Sequence, residues 1–159
     1  MLLVSLLTGL ASAGPSLDTE RAWAVGPSLF YTLPGAVGGV QGTLAPSWSG
    51  LAEVHVEGLP GARRVGVRAG ASWTPNQTGL HGWYVGPRVG TWRVWDEKGA
   101  TLALNLSAVG GRRHVTESGW LLQAGAGVTR PLVLSGDSSN RLPLPVLELR
   151  VGRAIGRTP

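Results

Sequence analysis

Apolar and polar residues alternate one by one along most of this chain, and a period of two places apolar side chains on one face of a β-strand. Ala52, Val54 and Val56 alternate with Glu53, His55 and Glu57 over Leu51–Glu57. Over Arg64–Trp73, Val65, Val67, Ala69, Ala71 and Trp73 share one face, and Arg64, Gly66, Arg68, Gly70 and Ser72 the other. Thr101–Val109, Trp120–Thr129 and Val146–Val151 repeat the pattern, and Arg21–Tyr31, Val37–Ala45 and Gly82–Trp95 carry weaker versions of it. No stretch after the first residues has a helical period. Turn chemistry separates the segments: Pro34-Gly35, Pro46–Gly50, Gly58–Gly61, Thr74–Gly79, Asp96–Gly99, Arg112–Gly119 and Pro131–Pro143. The expected fold is all-β, an antiparallel up-and-down barrel of about eight strands.

The apolar face of such a barrel can point inward, to a dry core, or outward, to lipid. The aromatic positions favour lipid. If strands alternate up and down, Trp23, Trp48, Trp73, Trp83 and Trp120 fall at one rim, and Phe30, Tyr31, Trp92 and Trp95 at the other. Two aromatic belts at the ends of an apolar band are the signature of a transmembrane barrel. The seven tryptophans are therefore expected to form a membrane-interface girdle. Composition is compatible: 43% hydrophobic and 14% charged residues argue against a disordered chain. No apolar run reaches the length of a membrane-spanning helix. The absence of cysteine rules out disulfides and thiolate metal sites.

Strand charges gather on the polar face. Glu53, His55, Glu57, Arg64, Arg68, Arg88, Glu148 and Arg150 are expected to form a polar network inside the barrel. If Glu57 faces Arg64 across the hairpin at Gly58–Arg63, the same register sets Glu53 opposite Arg68, and opposite charges across a strand pair attract. Eight strands enclose a space that side chains fill, so this reading gives a polar plug in place of an open pore.

Candidate chemistry is sparse. Glu53, His55 and Glu57 share a strand face, but neighbours two apart are about 7 Å from each other along the strand, and the arginines compete for both carboxylates; no metal or other cofactor is expected. His114, Glu117 and Ser118 hold the residue types of a hydrolytic triad within one connection, yet a triad is recognised by geometry and not by local spacing. No GxSxG, Walker A or HExxH motif occurs, and no catalytic residue is assigned. The net charge of +5 and pI near 11 raise nucleic acid as a partner, but the basic residues form no run with interleaved aromatics, and nucleic acid is not expected.

Residues 1–13, MLLVSLLTGLASA, have an apolar core followed by Ala11-Ser12-Ala13, the small-residue pattern that precedes signal-peptidase cleavage. They are expected to be a secretory signal, with residues 14–159 forming one barrel domain. Four stretches resemble small bacterial outer-membrane β-barrel proteins, nearest to an uncharacterised group of them: GGVQGTLAPSWSGLAEVHVEG (Gly38–Gly58), GWYVGPRVG (Gly82–Gly90), SGWLLQAGAGVTRPL (Ser118–Leu132) and LPVLELRVGRAIG (Leu144–Gly156). The resemblance implies a bacterial outer-membrane location, outer-membrane lipid and the barrel assembly machinery as partners, and no activity. The expected role is a non-enzymatic outer-membrane barrel with a polar lumen, structural or binding a small ligand not yet identified. Two alternatives stand beside it: a soluble secreted or periplasmic barrel that carries an apolar ligand inside and turns Glu53, Arg68 and Arg150 outward, and a lipid-modifying outer-membrane hydrolase using rim residues.

Overall fold

A computed structural model describes residues 21–30, 33–75, 80–97, 99–135 and 143–155. The expected leader at 1–13 and Tyr31 lie outside them. Eight strands follow one another: β1 (Arg21–Phe30), β2 (Leu33–Ala45), β3 (Trp48–Leu59), β4 (Ala62–Trp73), β5 (Gly82–Asp96), β6 (Gly99–Val115), β7 (Trp120–Ser135) and β8 (Leu144–Ala154). Each pairs antiparallel with its neighbours in sequence, and β1 pairs with β8, so the sheet closes on itself as an up-and-down barrel. Closure leaves no open sheet edge. At the end where β1 begins and β8 stops, the backbone seals further: Ala154 N–H donates to Gly119 O, and Ile155 N–H to Arg21 O. We call this the terminal end.

The register of β3 on β4 is the one that charge pairing demands, with Glu53 across from Arg68 and Glu57 across from Arg64. The Pro60-Gly61 turn joins them, with Gly61 at φ 87°, a backbone conformation that glycine adopts without steric cost. Two strands run further than alternation implies. β6 continues through Arg112, Arg113 and His114 to Val115, where a polar turn is expected from the sequence. Alternation persists there, with Arg113 and Val115 inward and Arg112 and His114 half-exposed, but polar residues on both faces mask it. β7 continues through Pro131, which lies opposite Asn105, to Ser135. Trp48 opens β3, directly across from Trp73, instead of sitting in the preceding turn.

Inside the barrel, bulk and emptiness alternate across neighbouring strands. Gly35, Gly39, Gly90, Gly70, Gly66 and Gly111 stand directly across from Glu57, Glu53, Arg68, Arg88, Trp92 and Tyr84. A Cβ on Gly66 would lie 2.7 Å from the Trp92 ring, and one on Gly70 would lie 2.4 Å from Arg88 Cδ. Each of these glycines thus vacates the volume that a large inward side chain takes, which is how a narrow barrel accommodates an interior of long side chains.

Candidate functional site: the barrel interior and the outer wall

Alternation along the strands gives the barrel two unlike faces. The interior holds the charges. Glu57, Arg68, Arg88, Glu148 and Arg150 are buried together with His55, Ser49, Ser72, Asn105 and Ser107, and Glu53 and Arg64 are nearly so. All eight residues expected in a polar network therefore point inside. Glu53 accepts from Arg68 Nε at 3.0 Å and from Arg150 Nε at 3.0 Å. Arg68 Nη2 also donates to Glu148 Oε1 at 2.6 Å, which ties β4 to β8 across the lumen. Glu148 Oε2 accepts from the Tyr84 hydroxyl at 3.1 Å and from Gln123 Nε2 at 3.2 Å. Arg64 pairs with Glu57 at 3.1 Å, and His55 Nε2 lies 3.5 Å from Glu53. One network thus joins five strands, β3, β4, β5, β7 and β8. Arginines engage both carboxylates of the Glu53–His55–Glu57 row. Among the described residues, no cluster of three or more His, Cys, Asp or Glu side chains is arranged to hold a metal.

Tyr84, Gln123, Gln41 and Arg113 are further members that the sequence reading left out. Gln41 donates to Gln123 Oε1 at 3.2 Å, and Arg113 donates to Gln41 Oε1, Ser49 Oγ and Thr74 Oγ1. Their inward parity is legible in the sequence, but most of their partners, as in Tyr84–Glu148, Gln123–Tyr84, Gln41–Gln123 and Arg113–Gln41, sit on strands that are not neighbours. Above this layer, at the terminal end, Ala22, Ala24, Leu80, Val115 and Leu121 pack into an apolar cluster across the interior. Leu80 enters it from the connection between β4 and β5 and is fully buried.

Trp92 is a correction. It was expected in the outer girdle at the rim opposite the terminal end, but it points into the barrel and is 2% exposed. Its ring packs edge-on against His55 with centroids 4.8 Å apart, and the Arg64 guanidinium lies 5.4 Å above it. The reason is parity: Trp92 is an even number of residues from Arg88, so the alternation that sends Arg88 inward sends Trp92 with it.

The other six tryptophans, Trp23, Trp48, Trp73, Trp83, Trp95 and Trp120, face outward, between 39% and 58% exposed. Five of them ring the terminal end. There Arg153 is in register with both Trp23 and Trp120, and the Arg112 guanidinium lies 5.7 Å over the Trp83 ring. Trp95 sits at the opposite end with Arg93 5.2 Å over its ring. The wall between is dominated by exposed valine and leucine, among them Val25, Val40, Val54, Val67, Val89, Leu106, Val128 and Leu149. Among the described residues, the charged side chains on the outward parity of the strands are arginines: Arg21, Arg63, Arg93, Arg112, Arg130 and Arg153; Asp96, on the inward parity, is exposed at the end of β5. Comparison with protein-family models, with curated proteins and with solved structures finds no match. The residues themselves therefore carry the functional reading.

Among the described residues, the side chains named for the hydrolase alternative form no triad. Ser118 Oγ bonds to Thr116 Oγ1 at 3.0 Å. The His114 ring packs on His81 with centroids 5.0 Å apart, and its buried Nδ1 has no hydrogen-bond partner among the described residues. Among the described residues no carboxylate forms an ion pair with His114.

His81 has a use of its own. It follows Leu80, and its Nδ1 accepts the Val115 N–H at 3.3 Å, which pins the β4–β5 connection to β6. Burial, helped by His114 and Arg112 nearby, pushes its pKa below the ordinary histidine value. The folded barrel thus binds this proton less readily than the unfolded chain does. Stability from the neutral ring is complete above about 6.5, the unfolded value, and is lost as the pH falls below it. Between pH 7.5 and 5.5, the urea midpoint should drop more in the parent barrel than in His81→Asn, whose amide oxygen can keep the Val115 bond without titrating. Equal drops would show that His81 does not carry the acid sensitivity.

Proposed function

We propose that this chain is a non-enzymatic outer-membrane β-barrel of the kind its sequence resembles, inserted in the bacterial outer membrane after signal-directed export, with a lumen plugged by its own polar side chains. One observation carries the reading: an apolar outer wall, bordered at the terminal end by outward tryptophans, surrounds an interior lined with paired charges. Monomeric soluble proteins rarely expose a contiguous apolar surface larger than a few hundred Å². A wall of valine and leucine running round the barrel is stable in lipid, where the hydrogen-bonded backbone of a closed sheet also meets no unsatisfied edge. The soluble alternative needs Glu53, Arg68 and Arg150 outside and an apolar cavity inside, and these side chains lie inside.

The lumen is read as plugged, with no open channel from one end to the other. The ionic layer links opposite walls, and the Leu80–Leu121 cluster lies across the terminal end. The role is then structural, or lies in binding at the rims, with lipid and the barrel assembly machinery as the partners. Refolding into vesicles whose acyl chains carry bromine at known depths tests the placement, because bromine quenches only tryptophans it approaches. Quenching that is strongest for shallow bromines, and a Trp92-only variant that resists quenching at every depth, are the expected results. A barrel whose tryptophans are insensitive to all bromolipids is not in the bilayer.

A further inference from the structure

Among the described residues, inward guanidinium groups outnumber inward carboxylates. Arg64, Arg68, Arg88, Arg113 and Arg150 point inside, against Glu53, Glu57 and Glu148. The ion pairs use all three carboxylates on Arg64, Arg68 and Arg150. Arg88 and Arg113, each 2% exposed, form no salt bridge among the described residues. Their hydrogen-bond acceptors are neutral. Arg88 donates to Ala71 O at 2.7 Å, Pro87 O at 3.1 Å and Ser72 Oγ at 2.9 Å. Arg113 donates to Gln41 Oε1 at 3.2 Å, Ser49 Oγ at 2.8 Å and Thr74 Oγ1 at 3.2 Å. The Nε of each is buried without a hydrogen-bond partner among the described residues, as is Arg68 Nη1. Both groups share one aromatic neighbour: the Tyr84 ring centroid is 5.9 Å from Arg88 Cζ and 4.6 Å from Arg113 Cζ.

An arginine does not escape burial by losing its proton. Neutral acceptors and the Tyr84 face offset part of the desolvation cost, but two positive charges remain unbalanced in an enclosed space. We propose that Arg88 and Arg113, beside Tyr84, bind a small inorganic anion of halide size inside the barrel. The class of ligand follows from the donors: two buried guanidinium groups with Nε–H groups left over offer hydrogen bonds and charge to a small anion, in an interior that side chains otherwise fill. The site depends only on the inward face, so it stands whether lipid or water surrounds the wall.

The test uses the purified, folded full chain in detergent, with the temperature of the heat-induced gel-mobility change measured in sodium chloride, sodium bromide and sodium gluconate at equal ionic strength. The halides should raise the midpoint over gluconate in a saturable way, by about 3–6 °C once the halide is tenfold above its Kd. Arg88→Gln and Arg113→Gln should lose this rise, and Arg63→Gln, on the outer face, should keep it. Crystals grown in bromide should show an anomalous peak within hydrogen-bond reach of Arg88 or Arg113, a result that needs no variant to fold. Equal midpoints in the three salts, a halide effect that survives both substitutions, or a bromide structure with no peak inside the barrel would each overturn the proposal.

Discussion

Arg68→Met is expected to cost the folded barrel about 3–5 kcal/mol, the usual penalty for removing one partner from a buried ion pair. Arg68 Nη2 serves two carboxylates on opposite walls, Glu53 and Glu148. Without it Glu53 still has Arg150 at 3.0 Å. Glu148 keeps only Tyr84 and Gln123, both neutral, and becomes a buried carboxylate with no ion-pair partner. The charge, more than the lost contact, is then what destabilises. Glu148→Gln in the Arg68→Met background should therefore recover more than half of the loss, because the amide keeps the shape and removes the charge. A double-mutant cycle by urea unfolding of vesicle-embedded barrel measures the coupling. Additive effects would mean that the two side chains do not pair in the folded lumen.

Val67→Arg separates the two possible solvents of the outer wall. Val67 is 56% exposed, faces out, and sits midway along β4 between Val54 on β3 and Thr91 on β5. In water, an exposed substitution of this kind stays within about 0.5 kcal/mol of the parent. At the middle of a bilayer an outward arginine costs about 2–4 kcal/mol, and near the interface about 0–1 kcal/mol. Leu44→Arg, on the outer face next to the Trp48 rim, is the matched control and should be nearly silent. A large loss at Val67 with little at Leu44 is the expected pattern from unfolding in vesicles. Silence at both positions would place the wall in water.

Much of this architecture is legible in the sequence, because a closed antiparallel barrel is a local pattern repeated. Alternation identifies the strands, and the Glu53–Arg68 and Glu57–Arg64 register follows from charge alone. Where reading by residue type displaces reading by parity, the sequence misleads. Trp92 shares parity with Arg88, yet a tryptophan near a strand end reads as a belt residue. The ends of β6 and β7 are masked by Arg112-Arg113-His114 and by Pro131, where polar or turn-forming residues obscure an alternation that continues. Contacts across the lumen are a different matter. Arg68–Glu148 and Arg113–Gln41 join strands that are not neighbours, and which residues meet there depends on how far the sheet staggers on closing. No local spacing encodes that stagger. The glycines directly across from Trp92 and Arg88 are legible only once register is known.

The central claim is that the apolar face meets lipid, and membrane fractionation tests it most directly. The full chain, residues 1–159, expressed in a bacterium that has an outer membrane, should appear in the outer-membrane fraction. On a denaturing gel it should run at a different position before boiling than after, because a closed barrel resists the detergent until heated. Recovery in the soluble periplasm, with one mobility under both conditions, would contradict the account.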